Sequence, residues 1–231
     1  MTERFKRITA LLGDEAITKL KNATVMVVGC GAVGSFAIEA LARSDVGHIV
    51  VVDFDVVEGS NINRQIFALS STIGTPKVDV ATLRIRDINP DADVVAINAF
   101  FDDKTNIDIK PDFVIDAIDT IDSKIALYKW CVAHNISFAA SMGAALKTDP
   151  TQIRVGRILK TSVCPLAARV RKIVREQSLP NFPVVYSTEE PKKSAASVGR
   201  VFGSIVTITG SFGLRLADIA IKSIIGTNNV I

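Results

Sequence analysis

The 231-residue chain is poor in cysteine, tryptophan, tyrosine and histidine, with three, one, two and two of each. Cys30, Cys131 and Cys164 nowhere form a Cys-x-x-Cys pair, so no tetrahedral zinc centre can be assembled from such pairs, and no zinc is expected. The odd cysteine count and the want of an apolar leader point to a reducing, cytoplasmic setting. Long apolar runs are missing too. The longest suspect, residues 201–214, holds 14 uncharged residues, short of the about 20 that cross a bilayer. Arg215, Asp218 and Lys222 follow it, so it reads as a buried helix, and no membrane partner is expected. Neither His48 nor His134 belongs to a motif, and both read as structural. No repeat or low-complexity segment is present.

What remains is ordinary globular material: 48% hydrophobic and 22% charged residues, in a chain long enough to bury roughly 70% of its unfolded surface. It reads as one domain, 1–231, with an N-terminal helical segment (1–23), a nucleotide-binding core (24–140) and a C-terminal part (141–231). The net charge of +3 is spread unevenly. Residues 154–200 carry ten Lys/Arg against three Glu, which leaves the rest at about −4. Such segregation suggests an anionic partner; a merely solvated face is the alternative.

Apolar β-type runs at 25–28, 49–52, 94–99, 113–117 and 136–140 alternate with helical stretches at 32–43, 76–88 and 121–134. The alternation predicts an α/β fold, a doubly wound and mainly parallel sheet. Two short helices flank Gly13, and a short acidic helix is expected at 102–107. Beyond Ser141 the pattern changes. Residues 152–158 read as an antiparallel strand, 165–177 as a helix and 180–191 as a proline-rich loop with a short extended piece at 184–187. Residues 192–198 read as mobile, and 203–225 as a closing helix.

The chain is organised around residues 24–77. Gly29, Gly31, Ala32 and Gly34 make a tight turn between the first strand and helix. Such a turn brings backbone N–H groups and a helix N-terminus to a phosphate. Asp53 follows Gly34 by 19 residues, where a carboxylate can hold a ribose. The turn alone fits NAD, NADP, FAD or ATP. Asn61, Asn63, Arg64 and Gln65 then form a polar cluster, and Lys77 follows Arg64 by 13 residues. Two cations suit a triphosphate undergoing phosphoryl attack, where charge builds on oxygen; hydride transfer leaves them idle. Asp116 and Asp119 flank the fourth strand's end. Two carboxylates there call for a cation such as magnesium; for Asp119 the alternative is a helix N-cap.

The glycine turn, VVDFDVVEGSNINRQ, GTPK and IDAIDT together resemble the ubiquitin-activating-enzyme-like adenylyltransferases, including ThiF and MoeB proteins. The resemblance covers most of the chain and implies ATP-dependent adenylation of a carboxylate. It implies that Asp53, with Asp55 beside it, faces the ribose, that Arg64 and Lys77 hold phosphates, and that Asp119 holds Mg2+. It further implies a homodimer in which Arg7 reaches the partner subunit's ATP. Ala32 departs from the family's glycine and places a methyl toward the nucleotide. In the C-terminal half, KTS at 160–162, PLA at 165–167, VRK at 170–172 and VVYSTE at 184–189 resemble one branch, the tRNA threonylcarbamoyladenosine dehydratases. That branch activates the threonylcarbamoyl carboxylate at tRNA position 37, and a nitrogen of the same side chain closes the ring and expels AMP. No enzyme cysteine is needed for this, but a basic RNA-facing surface is; Arg169, Lys172 and Arg175 are the candidates. Cys164 departs from the acidic residue that often precedes Pro-Leu-Ala. The branch also associates with cysteine-desulfurase and sulfur-acceptor systems and with a monovalent cation (Na+ or K+). The alternative is an adenylyltransferase for the C-terminus of a ubiquitin-like sulfur carrier. An NAD-dependent oxidoreductase or a non-catalytic nucleotide-binding module fits less of the motif set.

Overall fold

The computed structural model describes residues 3–105, 107–192 and 202–227. Five of the apolar runs become parallel strands: β1 (Thr24–Val28), β2 (His48–Val52), β3 (Asp93–Ile97), β4 (Phe113–Asp116) and β5 (Ser137–Ser141). With β6 (Ile153–Arg157) and β7 (Pro183–Ser187) they form a seven-stranded sheet of order β3-β2-β1-β4-β5-β7-β6. Only the edge strand β6 runs antiparallel to its neighbour. Strands covered on both faces read as continuous apolar runs, and β1 shows why: Val25 and Val27 enter one core layer, Met26 and Val28 the other.

Helices α2 (Asp14–Asn22), α3 (Gly34–Arg43), α4 (Lys77–Ile88) and α7 (Val206–Ile225) cover the first layer. Helices α5 (Ile121–Ala133) and α6 (Pro165–Glu176) cover the second. Helix α1 (Lys6–Leu12) precedes α2, and Arg4, just before it, donates to the last carbonyls of α4, those of Asp87 and Ile88. Chain order runs outward from β1 through β2 to β3, then restarts on the other side of β1 with β4. Such a switch point opens a crevice at the carboxyl ends of the strands, where α/β proteins hold ligands.

The structure departs from the sequence-based reading chiefly at element boundaries, and the closing helix expected at 203–225 begins at Val206. Among the described residues of 102–107 no helix forms; instead the Thr105 hydroxyl bonds both the Phe100 carbonyl and Asp102, whose carboxylate accepts the Lys104 N–H. Side-chain bonds of this kind compete with helical ones. Pro76 is the N-cap of α4 and not its first helical residue. Helix α3 begins at Gly34, two residues beyond the expected start. The extended piece expected within the proline-rich loop is β7, an interior strand, with Pro183 tolerated at its first position. The stretch expected to be mobile lies, from 193 onward, outside the described residues.

Candidate active site

A cavity of about 930 Å³ fills the crevice. Its walls are the segments leaving the carboxyl ends of β1 to β5, the start of α6, and Phe202 and Ser204. The glycine turn forms one wall. Gly29 takes φ +96, and a Cβ there would sit 2.8 Å from the Ala117 carbonyl oxygen. A Cβ on Gly34 would lie 1.7 Å from the Gly29 carbonyl oxygen. These two glycines let the turn close on itself and on the end of β4. Gly31 is different: its Cβ position meets nothing nearer than the Gln65 amide at 3.8 Å. Gly29, Gly31 and Ala32 line the cavity, whereas Gly34 is buried behind them.

Asp53 lies at the end of β2 with both oxygens engaged by backbone. Oδ2 accepts the Cys30 N–H at 2.6 Å and Oδ1 the Asp55 N–H at 2.8 Å. Its carboxylate thus ties the glycine turn to β2 while still facing the cavity. Burial, then the nearby Asp53 charge, push the Cys30 thiol well above its ordinary pKa, outweighing Lys77; this cysteine is inert.

Lys77, first residue of α4, is buried at 5% exposure and pairs with Asp55 at 2.6 Å. A buried ammonium keeps its charge only with such a partner. Arg64 is braced by the Ser60 carbonyl at 2.7 Å and the Asn63 amide oxygen at 2.8 Å. Asn61 caps its own turn through the Glu58 N–H. Asn61, Arg64, Gln65, Asp55 and Lys77 all line the cavity. Asn63 does not; its amide turns to the Ser204 carbonyl. Arg7 stands exposed on α1 and is also outside the lining.

The two aspartates of the fourth strand separate. Asp116 is completely buried and ion-paired to Lys124 at 2.7 Å, with the Tyr128 hydroxyl donating to the same oxygen at 2.6 Å. The expectation that Asp116 and Asp119 share a cation is therefore corrected: a side chain supplies Asp116's counter-charge. Asp119 is exposed, lines the cavity and has no hydrogen-bond or ion-pair partner among the described residues. Thr120, not Asp119, occupies the N-cap of α5.

Sequence reasoning missed part of the far wall. Phe54 and Phe100 are about half exposed and meet edge to face at 5.0 Å, both lining the cavity. Exposed rings at a cavity wall offer a stacking surface; the signal was an aromatic within three residues of each of two strand ends. Lys147 also lines it, buried and donating to the Glu189 carbonyl. Burial opposes ionisation of Glu189, but the N–H groups of Asp149 and Thr148 prevail and hold its carboxyl below the ordinary range. Cys164 is buried at the N-cap of α6, its Sγ accepting the Ala167 N–H at 3.5 Å. Arg169, Lys172 and Arg175 are exposed on the outer face of α6, whose first residues line the cavity.

Among curated proteins, the tRNA threonylcarbamoyladenosine dehydratase of Bacillus subtilis is 47% identical over 195 residues, covering 83% of this chain and 77% of that one. The molybdopterin-synthase adenylyltransferase of Escherichia coli is 33% identical over 139 residues, 59% of this chain and 54% of that one. Crystal structures of the E. coli tRNA N6-threonylcarbamoyladenosine dehydratase with AMP and with ATP superpose with TM-scores of 0.91 and 0.89 at 34% identity, covering 97% of this chain and 94% of theirs. The ThiF family pattern matches residues 5–231. A mainly parallel sheet, a glycine turn closing on β4 and a full-length match converge on one assignment: the chain belongs to the ThiF family.

Proposed function

We propose that the protein is an ATP-dependent tRNA threonylcarbamoyladenosine dehydratase. A carboxylate oxygen of the threonylcarbamoyl group at tRNA position 37 attacks the α-phosphorus of ATP, and pyrophosphate leaves. A nitrogen of the same side chain then attacks the acyl carbon and AMP leaves, closing the ring. One observation carries the RNA assignment: α6 contributes Cys164 (its N-cap), Pro165 and Leu166 to the cavity wall and turns Arg169, Lys172 and Arg175 to solvent. A single helix thus joins the nucleotide cavity to a phosphate-binding face.

In this reading the glycine turn holds phosphates with its N–H groups and Asp53 holds the ribose. Arg64 and Lys77 stabilise charge on the phosphoryl oxygens. Asp119, a carboxylate on the cavity wall with no partner among the described residues, fits Mg2+ carried by ATP. Such an ion keeps water and phosphate ligands and takes one or two carboxylates from the protein; it would neutralise phosphate charge. Arg7 serves the partner subunit in a homodimer, because α1 leaves it outside its own cavity. A cytoplasmic setting suits an enzyme whose substrate is tRNA. The cysteine desulfurase system and the monovalent cation rest on the family resemblance alone.

Incubating the pure protein with ATP and either threonylcarbamoyl-modified tRNA or a ubiquitin-like carrier ending in Gly-Gly, and following both pyrophosphate and AMP release, tests the proposal. AMP release on the tRNA, with loss of one water from the nucleoside by mass, is expected. Pyrophosphate release on the carrier alone refutes it in favour of sulfur-carrier activation, the reading suggested by the adenylyltransferase relative.

A further inference from the structure

Helix α5 buries a lysine where an amphipathic helix would place leucine. Lys124 and Tyr128 lie four residues apart, hence on one face, and both are fully buried. The Lys124 ammonium donates to Asp116 Oδ2 at 2.7 Å and to the Ser141 carbonyl at 2.8 Å. The Tyr128 hydroxyl donates to the same Asp116 oxygen at 2.6 Å, and Asp116 Oδ1 accepts the Ile118 N–H at 2.9 Å. Every arm of the cluster ends on a segment that lines the cavity. Ile118 begins the turn that carries Asp119, and Ser141 is the last residue of β5, leading into Met142 and Gly143.

A buried ion pair is a weak way to stabilise a fold, since apolar residues of similar volume do as well or better. Its merit is directional. Hydrogen bonds fix the turn between β4 and α5 and the end of β5 relative to each other, where apolar contacts would let them slide. We propose that Lys124, Asp116 and Tyr128 are positioning residues that set Asp119, and with it the metal-bearing side of the nucleotide site, against the end of β5. The proposal rests on the reading above, in which Asp119 faces the nucleotide.

The test uses the full-length protein in the AMP-release assay with modified tRNA, measuring kcat, KM for ATP and melting temperature. Tyr128→Phe removes one hydrogen bond and keeps the ring against Phe138 and Phe182, whose centroids lie at 5.3 and 4.6 Å. It is expected to melt near wild type yet lose about tenfold in kcat with little change in KM, the size of an outer-shell effect. Lys124→Met should lose about 100-fold, and Lys124→Arg, which restores a charged donor, should recover about tenfold of it. Asp119→Asn is the control for the site itself. If Asp119→Asn keeps wild-type kcat, the reading of Asp119 is wrong and the positioning role falls with it. If Asp119→Asn is impaired while Tyr128→Phe turns over normally, the positioning role alone is refuted. A Lys124→Arg variant no better than Lys124→Met likewise overturns it. Because Tyr128→Phe keeps the packing, the test stands even if Lys124→Met does not fold.

Discussion

Replacing Arg169, Lys172 and Arg175 together by Gln asks whether α6 touches RNA. The three side chains stand three residues apart on the solvent face, and the buried face of Ala167, Val170 and Val174 is left alone. Among the described residues Lys172 pairs with one carboxylate, Glu176 at 3.7 Å, with side-chain exposures of 76% and 57%. Such a pair contributes at most about 1 kcal/mol, and salt screens it, so the variant should fold and bind ATP as wild type does. Binding to RNA is another matter. Each phosphate contact contributes about 0.7–0.9 to the slope of log affinity against log salt. Three lost contacts lower that slope by about 2–3. Between about 50 and 200 mM salt, wild type should therefore weaken about 20–40-fold more than the variant. Filter binding or fluorescence anisotropy with modified tRNA at both salt concentrations reads this directly. Equal slopes and equal affinities would show that the face does not meet RNA and would strengthen the carrier-protein alternative.

Lys77→Ala and Arg64→Ala should each lower turnover about 100-fold or more, the scale of one lost preorganised contact, with smaller effects on ATP binding; undiminished turnover removes either from the catalytic set. Gly34→Ala forces a methyl to within 1.7 Å of the Gly29 carbonyl and should cost about 3 kcal/mol by denaturant titration. Gly31→Ala has room and should fold normally while weakening ATP binding about tenfold, because its methyl enters phosphate space. Glu39 joins α3 to α4 by two 2.9 Å bonds from Arg84, and pairs with Arg43. Burial opposes its ionisation, but the hydrogen bonds of Arg84 and Arg43 hold its carboxyl below the ordinary range. The folded pKa being the lower one, this contribution is complete above the unfolded value near 4.3 and fades as pH falls through the folded value. Glu39→Gln should cost about 1 kcal/mol at pH 7, and the gap to wild type should narrow progressively in melts taken below the unfolded value. If Arg7 acts in trans, mixing inactive Arg7→Ala with inactive Lys77→Ala protein should restore about a quarter of wild-type activity through mixed dimers carrying one intact site. No recovery after subunit exchange, shown by sedimentation, would place Arg7 elsewhere.

The sequence by itself determined the local chemistry. Apolar runs of strand length alternating with helical stretches imply a parallel sheet, because such strands must be covered on both faces. Gly29 and Gly34 announce a tight turn and Asp53 falls at the end of the second strand, while a shared role for Arg64 and Lys77 beside it is implied by the resemblance of the motif set. The exposed face of α6 followed from helical periodicity alone. Tertiary structure decided what depends on partners distant in sequence. Asp116 and Asp119, three residues apart, look like a pair until Lys124 and Tyr128 rise from the next helix to claim the first, while the second has no partner among the described residues. The segment 184–187 reads as extended from its sequence, but its place between β5 and β6, as an interior strand of the sheet, depends on the edges those two strands offer it. Phe54 and Phe100, 46 residues apart, meet only because β2 and β3 end side by side. Local pattern records what a residue prefers; a long-range contact depends on which other segment arrives, and only the folded chain brings it there.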